Sequence, residues 1–489
     1  MQAKDSGILI IRNVRQAVND NQHKTYDLYC ASGVVTAIYE KEPTDDAWPP
    51  RIFKEHLESL LYTQIDLKGK GIILPSTFQE ALEVTTKAKA DFGKHIDDVY
   101  ARGRRLVVES LECGVTVMRA HVEVDRTVQL RCLDVALRLK EEFHACCDIQ
   151  ISVFAQDPLF EDTDAEEPGS NYRLLEDAAG TSGVSVVGSA PYVESKLVQS
   201  QENISLILRL AARKQLHADF HLDYNVDASS PPLIYDLLDL MRSLRWTQQS
   251  PKDEPRMVTI GHGTRYTLFN GAEWNQLKEC IGDLPVALVA LPQSDMYMMG
   301  KGGGDRAVLP PRATLPVPFV ASRGIRVALS VNNVDNAFTP QGSVDPLGLC
   351  PLGVTVYQDA SETACTTLLK SVSTEAKYAI GLRQPAASKS LSISQGDPAD
   401  FVILHENSSV RSAVLNPCYT RTTIRAGRVV AYRRAERWSA IADPTKGRPL
   451  YRRLLVFMDE MSLWCAGFVL VVAYVVWAAR QELHPAGTK

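Results

Sequence analysis

The sequence predicts an α/β protein: a (β/α)8 TIM barrel, a small β-sandwich domain formed from both termini, and a C-terminal transmembrane helix. Three observations carry that prediction. Eight short runs rich in β-branched residues alternate with segments of helical apolar spacing between residues 71 and 331, which is the count and length of such a barrel. Both flanks of this stretch show strand and turn patterns without helical spacing. Near the end, 19 residues from Met461 to Ala479 pass without one charge. A doubly wound open sheet also alternates strands and helices; the count of eight favours the barrel.

Taken along the chain, residues 1–75 read as strands and turns, as in ILIIRNV and YDLYCASGVVTAIYE. The barrel is expected over 70–385. Its strands are Gly71–Pro75, Val115–Val124, Asp148–Phe154, Val184–Val187, His217–Tyr224, Met257–Gly261, Pro285–Leu291 and Ile325–Val331. Helical segments such as Val128–Phe143, Asn203–Lys214, Pro232–Leu244 and Glu273–Cys280 lie between them, repeating apolar residues at i, i+3 and i+4. After Pro75 the chain runs straight into a helix, for which Ser76 or Thr77 is a suitable N-cap. Residues 390–435 return to strand character (GDPADFVILHE, then TTIRAGRVVAYRR) and complete a composite β-sandwich with 1–75. Residues 436–460 are a linker. As a helix, 461–479 would reach roughly 28 Å, close to the hydrocarbon thickness of a bilayer. Trp464, Tyr474 and Trp477 stand toward its ends, where amphipathic rings prefer the interface. The segment is expected to anchor a cytoplasmic domain to a membrane by its tail.

Composition narrows the function. With 45% hydrophobic and 23% charged residues, the chain sits in the ordinary globular range, which excludes a disordered or fibrous protein. A net charge of −5 offers no basic excess for a nucleic-acid backbone. Ten cysteines without a CxxC pair make neither a disulfide framework nor a zinc ribbon. A small-molecule substrate remains, with oligomerisation left open.

Barrel enzymes carry their chemistry at the C-terminal ends of strands. In HADFH the period-2 pleat puts His217, Asp219 and His221 on one face. Polar groups there are costly unless hydrogen-bonded or metal-bound, and a satisfied interior histidine is the plain alternative for each. His262 closes the sixth strand, followed by Gly263 at a sharp turn. His121 ends the second strand and Asn332-Asn333 the eighth. The Gly300–Asp305 stretch (GKGGGD) reads as a loop over the site and not as a phosphate loop, because it does not join a strand to a helix N-terminus.

The order of these features resembles the amidohydrolase superfamily, and within it the cytosine deaminase-like branch. The matching segments are VTVMRAHVEVD, HADF, VTIGHG, LPQSD and NNVDNAFTPQGSVDPL, with GDPADFVIL and IRAGRVV in the flanking β-domain. The resemblance implies a metal-dependent hydrolase acting on a C–N bond of a cyclic amidine or amide. It implies one zinc or iron ion that activates a water, held by an HxH pair after strand one, a strand-five His and a strand-eight Asp. Carried over by position, His217 is the strand-five ligand, with Asn332 and then Asp335 at the strand-eight end. His262 and Asp219 are the catalytic candidates, and His121, His221 and Gln293 line the substrate. The sequence departs from the pattern in three places. No HxH is present, the family's proton-shuttling Glu falls on Phe220, and the strand-eight Asp falls on Asn332. One imidazole and an amide hold zinc or iron weakly. Two readings follow: a hydrolase with an incomplete metal site, or an inactive relative kept as a binding or scaffold protein.

Overall fold

The structure, a computed structural model, describes residues 8–16, 24–41, 51–54, 58–62, 77–251, 254–300, 311–382 and 391–435. The expected strand Gly71–Pro75, most of Gly300–Asp305 and the segment Met461–Ala479 lie outside them. Among the described residues no helix is long and apolar enough to cross a membrane.

Strands from both flanks share one sheet. From the N-terminal flank come β1 (Leu9–Gln16), β2 (Thr25–Ala31), β3 (Val34–Lys41) and β4 (Arg51–Lys54). After β4 comes β5 (Glu58–Tyr62), which belongs to a second sheet. That sheet continues with β6 (Val117–Glu123), β7 (Asp148–Ala155), β8 (Val184–Ser189), β9 (His217–Leu222), β10 (Val258–His262), β11 (Val286–Ala290) and β12 (Val327–Leu329). The C-terminal flank adds β13 (Phe401–Leu404), β14 (Arg421–Arg425) and β15 (Arg428–Arg433). The flank sheet runs β15-β14-β13-β4-β1-β2-β3, antiparallel except for β1 beside β4. Its apolar residues, among them Val14, Leu28, Val35, Phe401 and Ile424, bury one another in a separate core, so neither terminus can form this unit without the other.

The second sheet follows chain order from β5 to β12 and every neighbouring pair is parallel. Between its strands run α1 (Phe78–Lys89), α2 (Ile96–Glu112), α3 (Arg131–Phe143), α4 (Ser170–Ala179), α5 (Leu197–Lys214), α6 (Ile234–Ser243), α7 (Gly271–Ile281) and α8 (Pro292–Met298). In α3 the buried residues Cys132, Leu133, Val135, Ala136, Leu139 and Phe143 form one stripe, the spacing that seats a helix on a sheet. The strand beside β6 is β5, whereas the sequence favoured Gly71–Pro75 there. Both runs are short and apolar, and periodicity alone does not choose between them.

The sheet curls. Arg119 on β6 reaches Asp219 on β9 at 2.7 Å, although β7 and β8 lie between. In a flat sheet three strand spacings would part them by roughly 14 Å. Among the described residues no ladder joins β12 to β5, so the architecture is a curled parallel sheet with helices, as in a TIM-like half-barrel.

Candidate functional site

The concave face is polar where β6, β9 and β10 approach. Asp219 pairs with Thr259 and His221 with Gly261 in the β9–β10 register. Arg119, wholly buried, donates through Nη1 to Asp219 Oδ2 at 2.7 Å and to Thr259 Oγ1 at 2.8 Å, and through Nε to Gln150 Oε1 at 2.7 Å. The same Asp219 oxygen lies 3.2 Å from His121 Nε2. Burial opposes ionisation of Asp219, but His121 and Arg119 outweigh it and hold the carboxyl below its ordinary value.

One layer nearer the strand ends, His221 Nδ1 stands 3.2 Å from His262 Nε2. His262 Nδ1 stands 2.6 Å from Asp295 Oδ1. Asp295 Oδ2 accepts from the Thr314 hydroxyl at 2.9 Å and the Leu291 N–H at 3.2 Å. A carboxylate already accepting from these donors also accepts from the His262 Nδ1–H, which leaves His262 Nε2 an acceptor. His221 therefore donates from Nδ1. Burial, with His262 and His121 nearby, holds the His221 pKa well below its ordinary value, so it is neutral. A side chain at Gly261 would meet the His221 ring at 3.1 Å; glycine leaves the space the ring needs. His262 adopts φ +70 and Asp223, just past β9, φ +51, left-handed conformations that cost of order 1–3 kcal/mol and concentrate at functional sites.

Above the histidines, Tyr224 lies along His262 with ring centroids 4.0 Å apart. Phe78, the first residue of α1, closes the space over them together with Tyr192 and Phe338. What remains is a cavity of about 20 Å3, room for little more than one water. Asn332, also in its wall, donates to Ser294 Oγ at 2.9 Å. Asn333 lines it too, and its buried Oδ1 has no partner among the described residues.

His121, Asp219 and His221 offer donor atoms within 4.8 Å of one another, a group able to hold a metal; Glu123, Asp125 and Asp157 form a second. Each group already contains a basic side chain. Arg119 binds Asp219, and buried Lys89 places Nζ 2.7, 2.7 and 3.0 Å from Glu123, Asp125 and Asp157. Beside the first group, Arg119 Nη2 is a buried N–H without a hydrogen-bond partner among the described residues, a donor that seeks an acceptor and repels a cation.

The structure brings together His121, Asp219, His221 and His262, with Asn332 at the cavity wall. It does not bring in His217. That residue begins β9 while His262 ends β10, and five residues of strand separate the two levels by roughly 16 Å. His217 Nδ1 instead accepts the Met257 N–H at 2.9 Å, and burial lowers its pKa to about 3. The strand-end histidine is His221, two pleat repeats along the same face. Counted from it, the position three residues on is Tyr224, not Phe220. Asp335 adopts φ +52 in the loop after β12 and stands in neither metal-capable group. Gln293 packs against Gly342, and its neighbour Ser294 lines the cavity in its place. Sequence reasoning missed Arg119, Tyr224, Phe78, Lys89 and Asp295. Asp295 was within reach, since it ends the LPQSD segment quoted for the resemblance.

No family model matches the chain. N-isopropylammelide isopropyl amidohydrolase of Pseudomonas sp. (strain ADP) is 22% identical over 322 residues, covering 65% of this chain and 69% of that protein. The structure of 5-methylcytosine deaminase from Klebsiella pneumoniae liganded with 5-fluorocytosine superposes with a TM-score of 0.73 at 20% identity, over 90% of this chain and 100% of that one. An atrazine chlorohydrolase from Arthrobacter aurescens, complexed with zinc and atraton, gives 0.59 at 14% identity over 92% and 99%. The structural neighbours are deaminases and hydrolases of the amidohydrolase superfamily, and the curated relative is an amidohydrolase. At these identities the likeness establishes the fold.

Proposed function

We propose that this chain is an amidohydrolase-type protein that takes a cyclic amidine or amide at the strand ends of a closed (β/α)8 barrel, with a metal centre too incomplete to drive C–N hydrolysis well. The observation that carries this reading is the pair of basic residues, Arg119 and Lys89, inside the two donor groups able to hold a divalent cation. The zinc or iron of the family does not fit the residues present. His121 and His221 are the two histidines of the first donor group, Asn332 offers only a neutral amide oxygen where the family has a carboxylate, and no HxH occurs in the sequence. The chain's own residues keep part of the chemistry. His262, held in one tautomer by Asp295, keeps Nε2 an acceptor, shared with the His221 N–H, that can take a proton from a bound ring. Tyr224, at the place of the shuttling Glu, is a poor substitute, because burial raises its phenol well above its ordinary pKa. The Asn333 carbonyl oxygen, buried and unpartnered among the described residues, suits a ring N–H.

Elemental analysis of the purified full chain, alongside turnover assays with cytosine, tests this. Metal well below one equivalent and negligible ammonia release are expected. One equivalent of zinc or iron, lost on His221→Ala, would overturn the incomplete-centre reading. A second reading, a non-catalytic binding or scaffold protein tethered by 461–479, is favoured by Tyr224 stacked where an acid would act. Cytosine binding with no turnover at any metal supplement supports it; turnover restored by added zinc excludes it.

A further inference from the structure

The space beside His221 and His262 is filled by the chain itself. The Phe78 ring sits 5.9 Å from Tyr192, 5.6 Å from Tyr224 and 5.5 Å from Phe338, centroid to centroid, the separations of favourable aromatic pairs. Ligand pockets usually offer roughly 300–1,000 Å3, against the 20 Å3 left here. A ring enters this site only where a ring already is.

The helix that delivers Phe78 is fastened unevenly. Its buried residues are Ala81, Thr85 and Lys89, a methyl, a hydroxyl and an ammonium, with Phe78, Leu82, Val84 and Ala88 partly buried against the core beside them. Thr85 turns its hydroxyl back to Ala81 O at 2.8 Å and gives the sheet nothing polar. Lys89 locks the far end through three carboxylates. At the near end the fastening is Phe78 itself, directly after the Thr77 N-cap, whose hydroxyl accepts from Glu80 N at 3.2 Å while Glu80 Oε2 accepts from Thr77 N at 3.1 Å. The helix is held by ions at its C-terminus, by Leu82, Val84 and Ala88 against the core along its length, and by the Phe78 ring at its N-terminus, so displacing that ring loosens its first turn.

We infer that α1 is an autoinhibitory lid: Phe78 occupies the ligand space at the strand ends, and a planar ring binds by displacing it. The inference rests on those strand ends being the ligand site, as proposed above. Occupancy by Phe78 lowers the apparent affinity of any ring by the fraction of molecules in which the cage is open.

The test measures binding of phenol, a ring with no C–N bond to cleave, and of cytosine to the full chain and its variants by calorimetry. Phe78→Ala is expected to bind phenol at least about tenfold more tightly than the unmodified chain. Thr77→Ala, an exposed change that frays the first turn of α1, is expected to tighten it about fivefold. Equal phenol affinity in all three chains, including no binding by any, overturns the lid. Should Phe78→Ala fail to fold, Thr77→Ala decides alone by the same criterion. Phenol gained without cytosine leaves the lid standing and removes the cyclic amidine from the proposed function, so the two failures are told apart.

Discussion

His262 Nδ1 stands 2.6 Å from Asp295 Oδ1 although 33 residues separate them in the chain. Asp295 is wholly buried. Burial raises its pKa, while His262, Thr314 and the Leu291 N–H pull the other way by favouring the charged form. This contact decides which nitrogen of His262, and through it of the edge-on His221, carries a proton.

Asp295→Asn should disturb that order. An amide N–H facing His262 Nδ1 drives the proton to Nε2, which then meets the His221 Nδ1 proton. We expect a loss of about 1–3 kcal/mol from the unsatisfied buried donors, read by urea denaturation, together with altered nitrogen shifts of both imidazoles. Unchanged shifts would refute the tautomer order.

Arg119→Met leaves Asp219 as a buried charge without its cation. A cost of about 3–5 kcal/mol is expected, and Arg119→Met with Asp219→Leu should recover most of it. A double variant as unstable as the single one would show that Arg119 acts through Gln150 and Thr259 instead.

His217 titrates on the acid side. Its folded pKa, near 3 against 6.5 unfolded, means the neutral ring contributes stability above 6.5 that is lost as pH falls toward 3. His217→Gln, which can still accept the Met257 N–H, should lose about 1–3 kcal/mol less than the unmodified chain between pH 7 and pH 4. Phenol and cytosine binding should not change, because the residue lies at the far end of the strand; weakened binding would return His217 to the site.

Glu123 works in the opposite sense. Burial, against the pull of Lys89, pushes its carboxyl up to about 7. The protonated form therefore contributes stability that is fully present below about 4.5 and lost as pH rises through 7. Glu123→Gln should flatten this loss, making the variant relatively more stable at pH 8.5 than at pH 5.5, by about 1–3 kcal/mol. Parallel pH profiles for the two chains would place the shift elsewhere.

The uncharged run Met461–Ala479 has the length and interfacial aromatics of a span. The full chain should pellet with membranes after carbonate washing, and residues 1–455 should not. A full chain wholly in the carbonate supernatant would end the tail-anchor proposal.

Periodicity alone carried the strand–helix alternation: seven of the eight expected strands overlap β6 to β12, and Thr77 caps α1 as its hydroxyl suggested. Local chemistry suffices there, because apolar spacing and capping are decided within one element. The same local pattern also put three polar residues of β9 on one face. It could not say which of them stands at the working end, because that depends on where the strand begins and how its neighbours register. His217 and His221 have the same pattern in sequence; the ladder to β10 puts His221 beside Gly261 and His217 a level below. Likewise nothing in RAHVE, FQEALEVTTKAK or LPQSD announces that Arg119 will hold Asp219, that Phe78 will fill the cage, or that Asp295 will orient His262. Those pairings join residues between 33 and about 260 positions apart, and only the curl of a parallel sheet brings them within hydrogen-bond and ring-contact range.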